Sequence, residues 1–283
     1  MRKYIMPEGP EVKITTDFLK TYVGKYLSGV GLKSGRYFKK KEIPGWMCYN
    51  KPSKLVSVDC KGKFIYFTFQ EGDKEFYLFS TLGMSGMWTN KMTKHSRVSL
   101  SFLEKEDDDP NVDWEDLYFN DIRNFGTLKF VSDKKELDKK LKSLGPDVLT
   151  AEIDWQGFRN RFAKKQNKTI AECLMNQSII AGVGNYLKAE ILWNSKMSPN
   201  RLIKDITNDE WHDLYYNTLT QSQRSYKLGG ATIESYRQPN GKEGLYSRRF
   251  AVYNQQTDPN GRTVIKETTA DKRTTHWVPE IQK

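Results

Sequence analysis

Asn176-Gln177-Ser178-Ile179-Ile180-Ala181-Gly182-Val183-Gly184-Asn185-Tyr186-Leu187-Lys188-Ala189-Glu190-Ile191-Leu192 is the most informative stretch of this 283-residue chain. Two glycines ahead of Asn185 permit a tight turn, and the residues after it follow a helical pattern. Backbone N–H groups at the turn and at the helix start, together with the Asn185 amide, suit a phosphate. Taken alone, Gly-x-Gly-Asn is weak evidence, because a plain helix–turn–helix has the same appearance. The neighbourhood reads the same way, with helical periodicity predicted over 155–163, 170–176, 185–194 and about 209–228.

Upstream the texture changes. From about Leu27 to Val131 the chain holds short runs such as Leu55-Val56-Ser57-Val58, Phe64-Ile65-Tyr66-Phe67-Thr68-Phe69, Phe76-Tyr77-Leu78-Phe79 and Val98-Ser99-Leu100-Ser101-Phe102. They are β-branched or aromatic and are separated by glycine or charged turns, which predicts an all-β sandwich. The acidic segment 104–116 reads as a solvated hairpin connection. Before the strands, Pro10 fits the first turn of a helix. Val12, Ile14, Phe18, Leu19, Tyr22 and Val23 fall on one face of that helix, and Gly24 closes it. The charged stretch from Lys134 to Asp154 is the candidate boundary. Beyond Gly229-Gly230 comes a loop rich in Gly, Ser and Arg. Two strand-like runs follow, 249–254 and 263–266, joined by the turn Asp258-Pro259-Asn260-Gly261. A last apolar piece is Thr275-His276-Trp277-Val278. The expected fold class is α+β: an N-terminal β-sandwich domain with a flanking helix over 1–134, a linker over 135–153, and a C-terminal helical domain over 154–283 ending in a hairpin at about 249–282.

With 14 Phe, 15 Tyr and 7 Trp the chain has the aromatics for a core, which argues against wholesale disorder. A net charge of +11 is compatible with a polyanionic partner, either nucleic acid or an anionic membrane surface, and equally with a basic protein that has neither. No apolar run reaches the length of a membrane span, and no secretory signal is visible. Cys48, Cys60 and Cys173 are scattered without a CxxC pair, so they make neither a disulfide framework nor a four-ligand zinc site. A reducing intracellular location, nucleus or cytoplasm, follows as the default. In that setting the glycosylation sequons at Asn167 and Asn176 are chance matches. His95, His212 and His276 show no ligand spacing and read as structural or surface residues.

The start of the chain carries the candidate chemistry. Met6-Pro7-Glu8-Gly9-Pro10-Glu11 places two carboxylates around a proline. If translation starts at Met6 and that residue is removed, or if a leader is trimmed, Pro7 has a free secondary amine. An α-amino group titrates near 8, against about 10.4 for lysine, so far more of it than of a lysine is neutral and nucleophilic at pH 7. A secondary amine adds to a sugar aldehyde carbon to give an iminium, which is an electron sink without needing a proton. Glu8 then has the place of a general acid toward the ring oxygen of a deoxyribose. The plain alternative is a helix start, for which Pro and Glu are ordinary residues. With Met1 to Met6 in place, Pro7 has an amide nitrogen and no such chemistry.

Met6-Pro7-Glu8-Gly9-Pro10-Glu11 resembles the start of the formamidopyrimidine-DNA glycosylase/endonuclease VIII family of base-excision repair, and further motifs follow in that family's order. Lys61-Gly62-Lys63-Phe64, read as lying in a β segment, resembles its Gly-Lys strand entry, which implies that Lys63 binds a DNA phosphate and supports strand lysis. Leu82-Gly83-Met84-Ser85-Gly86 and Asp121-Ile122-Arg123-Asn124-Phe125-Gly126 resemble its two void-filling loops. The resemblance implies that Met84 fills the hole left by a flipped nucleotide, Arg123 pairs with the orphaned base and Phe125 wedges between base pairs. The stretch 176–192 is similar to the family's helix–two-turn–helix, whose matching asparagine, here Asn185, holds phosphates flanking the lesion. Gly229-Gly230-Ala231-Thr232-Ile233 and 241–246 resemble the loop that closes over the flipped base.

Two departures refine the resemblance. Thr81 stands where purine-repairing members have a phosphate-binding histidine. No cysteine follows Cys173, so the C-terminal hairpin cannot be a four-cysteine zinc finger. It is similar to the zincless finger of the eukaryotic and viral Nei-like branch, with Trp277, Val278 and Ile281 packing in place of the metal and Arg273 matching the phosphate-gripping arginine. What the resemblance implies is a monomeric bifunctional DNA glycosylase and abasic-site lyase, needing no cofactor and no metal. Its partner is double-stranded DNA carrying damaged bases or abasic sites, with no membrane. Its catalytic residues are Pro7, Glu8, Lys63 and Arg273, and oxidised pyrimidines and hydantoins are its favoured lesions. The alternatives are the same chemistry on oxidised purines, or a non-catalytic binder of damaged DNA if Pro7 is never freed.

Overall fold

The computed structural model describes residues 6–49, 52–106, 113–150, 153–232 and 237–283. Met1 to Ile5, the centre of the acidic segment at 107–112 and Ile233, expected in a loop over the flipped base, lie outside the described residues. The chain divides into two compact units. One comprises the chain up to Pro7, Glu11–Lys142 and Thr232–Glu243; the other comprises Glu8–Pro10, Ser143–Ala231 and Gly244–Lys283.

In the first unit, helix α1 (Gly9–Leu19) continues as a 3-10 turn (Lys20–Tyr22) and stops at Gly24, whose φ of 98° is costly for any residue with a Cβ. Strand β1 (Tyr26–Leu32) and the short helix α2 (Gly35–Lys40) follow. Then come β2 (Ser53–Lys61), β3 (Phe64–Glu71), β4 (Lys74–Thr81), β5 (Gly86–Thr89), β6 (Ser96–Leu103), β7 (Glu115–Asp121) and β8 (Thr127–Val131). All pairings are antiparallel, in the order β5-β7-β6-β1-β2-β3-β4-β8. The central β1–β2 pairing spans only Tyr26↔Lys54 and Leu27↔Ser53, with register shifts beside it in both strands. There the sheet folds over as a β-sandwich. Alternation explains which side chains enter it: Val98, Leu100 and Phe102 of β6, and Ile65, Phe67 and Phe69 of β3, are all buried. Trp88 sits in the middle, 5.4 Å from the Phe67 ring and 5.0 Å from Phe119, and its indole N–H donates to Ser80 Oγ. That bond satisfies the one polar atom this large side chain takes into the core.

The unit closes with α3 (Lys134–Ser143), where a linker was expected over 135–153. This helix buries only Leu137, so its sequence carries too few apolar residues to show a period. Its C-terminal end packs on the β2–β3 turn: Lys61 Nζ donates to the Leu141 carbonyl and Lys140 lies over the Phe64 ring. Residues from Ser143 onward group with the second unit, whereas Thr232–Glu243 groups with the first, tied by Thr89 Oγ1 to the Pro239 carbonyl.

The second unit is helical: α4 (Trp155–Phe162), α5 (Ile170–Met175), α6 (Asn185–Asn194) and α7 (Asn208–Lys227). Thr169 and Thr207 close full capping boxes with Glu172 and Glu210, which is why α5 and α7 start where they do. Helix α6 is buried nearly all round and forms the axis of the unit.

The C-terminal end corrects the expected hairpin. Residues 249–254 are not a strand. A 3-10 turn (Tyr246–Arg249) leads into bends because the N–H groups of Ala251, Val252 and Tyr253 donate to the Glu190 carboxylate instead of to a neighbouring strand. The ribbon is β9 (Ile265–Thr268) paired with β10 (Thr274–Trp277), so its turn lies at 269–273. The expected turn at Asp258 closes only the single bridge Thr257↔Thr263. Around it the buried Asp258 carboxylate gathers the Asn260 and Arg262 N–H groups, the Arg262 guanidinium and the Trp193 indole N–H. Val278 is fully buried; its N–H donates to Gln282 Oε1, and Gln282 Nε2 donates to the Met197 carbonyl.

Candidate functional site

The expected functional residues fall into two sets, one on each unit. In the second unit the organising element is the N-terminus of α6. The helix starts at Asn185 because Gly182-Val183-Gly184 turns sharply before it. Gln177 clamps that turn, donating from Nε2 to the Val183 carbonyl and accepting from the Gly182 N–H. Into the opening helix comes the Glu8 carboxylate, which is 1% exposed. It accepts from the backbone N–H groups of Gly184 (2.8 Å), Tyr186 (2.9 Å) and Leu187 (3.2 Å). These are the orphan donors that every helix start leaves, and they meet the negative group at the positive end of the helix. Gly184 is required by contact: a Cβ there would stand 2.3 Å from the Glu8 carboxyl carbon. The Gly9 N–H donates to the Gly182 carbonyl at 2.8 Å and fixes the approach of this segment.

The phosphate role expected for these backbone N–H groups is therefore corrected: three of them are occupied by Glu8. Asn185 is placed on the first turn of α6, and its Nδ2 donates to the Thr274 carbonyl at 2.9 Å, next to Arg273. Asn185 is thus held to the residue that follows Arg273, whose exposed side chain lies in the ribbon turn. Tyr253 went unnoticed in the sequence. Burial pushes its phenol up, the Glu8 charge adds to this, and a hydrogen bond with Asn185 opposes it. Lys188 was also missed. It is a fully buried lysine on α6, ion-paired with Asp271 of the ribbon turn. Burial pulls the Lys188 ammonium down and the like charge of Arg273 adds to this, while Asp271 and Glu8 oppose both.

In the first unit, Pro7 is buried and directly precedes Glu8. Lys63 is half-buried and lies in the β2–β3 turn rather than within a strand, after Gly62 at φ 57°. The two loops expected to fill the void meet each other. The buried Asp121 carboxylate accepts from Ser85 Oγ at 2.5 Å and from the Gly126 N–H at 2.7 Å, and Ser85 Oγ in turn accepts from the Arg123 N–H. The Arg36 guanidinium donates to the Gly126 carbonyl, and Arg97 donates to the carbonyls of Asp121 and Ile122. Gly83, at φ 59°, lies so close that a Cβ would stand 2.7 Å from the Gly126 nitrogen. Above this base Arg123 and Phe125 are exposed and Met84 is half-buried. The Arg123 guanidinium reaches Met84 Sδ at 3.4 Å and lies 5.7 Å from the Phe125 ring, which is 56% exposed. Thr81 bonds Thr127, hydroxyl to hydroxyl at 2.6 Å, and accepts from the Thr127 N–H.

Comparison with known proteins agrees along the whole chain. Family models match in sequence: the formamidopyrimidine-DNA glycosylase N-terminal domain over 6–128, its H2TH domain over 144–237 and its C-terminal domain over 247–283. The formamidopyrimidine-DNA glycosylase of Thermus thermophilus is 31% identical, over 98% of each chain. The crystal structure of the MutM (Fpg) protein from Thermus thermophilus superposes with a TM-score of 0.79 at 30% identity, covering 98% of each chain. A Lactococcus lactis Fpg mutant in complex with a Fapy-dG containing DNA superposes with a TM-score of 0.81 at 25% identity, covering 98% of this chain and all of the other.

Proposed function

The chain belongs to the formamidopyrimidine-DNA glycosylase family, and from that premise we propose that it excises oxidised bases from DNA and then cuts the strand, with the Pro7 amine as nucleophile. The observation that carries this reading is the Glu8 cradle. A carboxylate immobilised by three backbone N–H groups, one residue from Pro7, is a pre-positioned proton carrier.

The neutral Pro7 amine attacks C1′ of the damaged nucleotide, and the base departs with the glycosidic electron pair and takes up a proton from solvent. The proton left on the proline nitrogen passes to Glu8. Glu8 returns it to O4′ as the C1′–O4′ bond breaks, and the nitrogen lone pair forms the C1′ iminium. That cation acidifies C2′, so loss of a C2′ proton expels the 3′ phosphate, and a second elimination expels the 5′ phosphate. A one-nucleotide gap with phosphate ends remains. Lys63, Asn185 and Arg273 hold the backbone, while Met84, Arg123 and Phe125 occupy the void. The scheme needs a Pro7 nitrogen that is not acylated, so the active chain must lack Met6 and everything before it.

Oxidised pyrimidines and hydantoins are the favoured lesions. Thr81 offers a hydroxyl already engaged with Thr127 where purine-repairing members have a histidine, and the ribbon is built without cysteines. The names of the relatives favour the second reading, oxidised purines. Duplexes carrying thymine glycol or 8-oxoguanine discriminate them. The expected outcome is faster excision of thymine glycol with both phosphate ends formed. Faster excision of 8-oxoguanine supports the purine reading. Tight binding to an abasic duplex with no strand cleavage supports a non-catalytic binder.

A further inference from the structure

The ribbon turn at 269–273 is organised by one carboxylate. Asp271 Oδ1 accepts from Thr269 Oγ1 at 2.5 Å and from the Arg273 N–H at 3.3 Å. Thr269 and Arg273 also close on each other, Thr269 N–H to the Arg273 carbonyl at 3.1 Å, with Lys272 in the left-handed region between them at φ 60°. The other oxygen, Oδ2, faces the Lys188 ammonium. Both side chains of this pair are almost wholly withdrawn from solvent, 0% exposed for Lys188 and 4% for Asp271. A buried ion pair is weak as a source of stability, because desolvation opposes the Coulombic gain, and its best-attested use is to fix one arrangement over its alternatives. Here the arrangement joins α6, the helix that holds Glu8, to the turn that ends in Arg273. The Asn185–Thr274 bond alone leaves that turn tied at one edge.

We propose that Lys188 is a positioning residue: its ion pair with Asp271 latches the ribbon turn onto α6 so that Arg273 is presented to a backbone phosphate of bound DNA. This rests on the DNA reading given above. Neither Lys188 nor Asp271 touches DNA in this account, and both act through Arg273.

The test is a salt series of binding to a duplex carrying a tetrahydrofuran abasic analogue, measured for the wild type, Lys188→Met, Lys188→Arg, Asp271→Asn, Arg273→Ala and the double variant Lys188→Met/Arg273→Ala. The expected result is weaker binding by Lys188→Met and Asp271→Asn, with the logarithmic salt slope reduced by about 0.9, the value of one phosphate contact. Arg273→Ala gives the same reduction, the double variant is no weaker than Arg273→Ala, and Lys188→Arg restores the wild-type slope. Asp271→Asn keeps an acceptor for Thr269 and Arg273, so it carries the test if Lys188→Met fails to fold. Wild-type affinity and slope in Asp271→Asn, or losses from Lys188→Met and Arg273→Ala that multiply, overturn the latch. A wild type that binds but never cleaves overturns the proposed chemistry and leaves the latch standing; one with no affinity for the duplex overturns both.

Discussion

The α6 cradle of one unit and the paired loops of the other use the same device for opposite ends. In both, a buried carboxylate collects donors contributed by distant segments: Glu8 holds Gly184, Tyr186 and Leu187, and Asp121 holds Ser85 and Gly126. At the cradle the carboxylate is itself the group proposed to move a proton. At the loops it is only the foundation, and the groups proposed to act are the half-buried Met84 and the exposed Arg123 and Phe125. The difference teaches where burial belongs. Chemistry needs a group with one geometry and little water, whereas a wedge must stay outside until DNA arrives. Glu190 and Asp258 repeat the foundation role at 251–253 and at the base of the ribbon.

Glu8→Gln removes the proton carrier and sets an amide N–H group against helix N–H donors. Single-turnover strand cleavage falls about 10²–10⁴-fold, the range for a lost general acid, while affinity for an abasic-analogue duplex is retained. A loss of affinity as large as the loss of rate breaks the assignment of Glu8 to chemistry. At the loops, foundation and tip separate by readout. Asp121→Asn destabilises the fold by about 1–3 kcal/mol, the cost of buried donors left facing a donor. Phe125→Ala changes stability by less than about 0.5 kcal/mol, as an exposed position should. It weakens abasic-duplex binding by about 1–3 kcal/mol through lost stacking. Urea denaturation alongside anisotropy titrations checks both, and a Phe125→Ala protein that unfolds easily yet binds normally reverses the roles.

Legibility in the sequence followed the range of the interactions. Helix α6 was readable to its ends because its determinants are local, a Gly-Val-Gly turn followed by Asn185. The sandwich strands showed through alternation. The misread run at 249–254 has strand-like residues, but its N–H groups are captured by Glu190, 61 to 63 positions earlier. Lys188 sits in a helix where a lysine is unremarkable, and its partner is 83 residues away. The phosphate role first given to the α6 N–H groups failed for the same reason: the carboxylate that fills them arrives from 176 to 179 residues upstream. Resemblance to a family named Pro7, Glu8 and the loop tips together, and geometry then separated the buried from the exposed.

The central claim is the free amine at Pro7 beside a captive Glu8. It is tested most directly by reducing the active protein with borohydride while it acts on an abasic duplex, then locating the cross-link by mass spectrometry. The account predicts a covalent adduct on the nitrogen of Pro7, in a chain whose first residue is Pro7. An adduct on a lysine side chain, or full activity from a chain that retains residues ahead of Pro7, contradicts it.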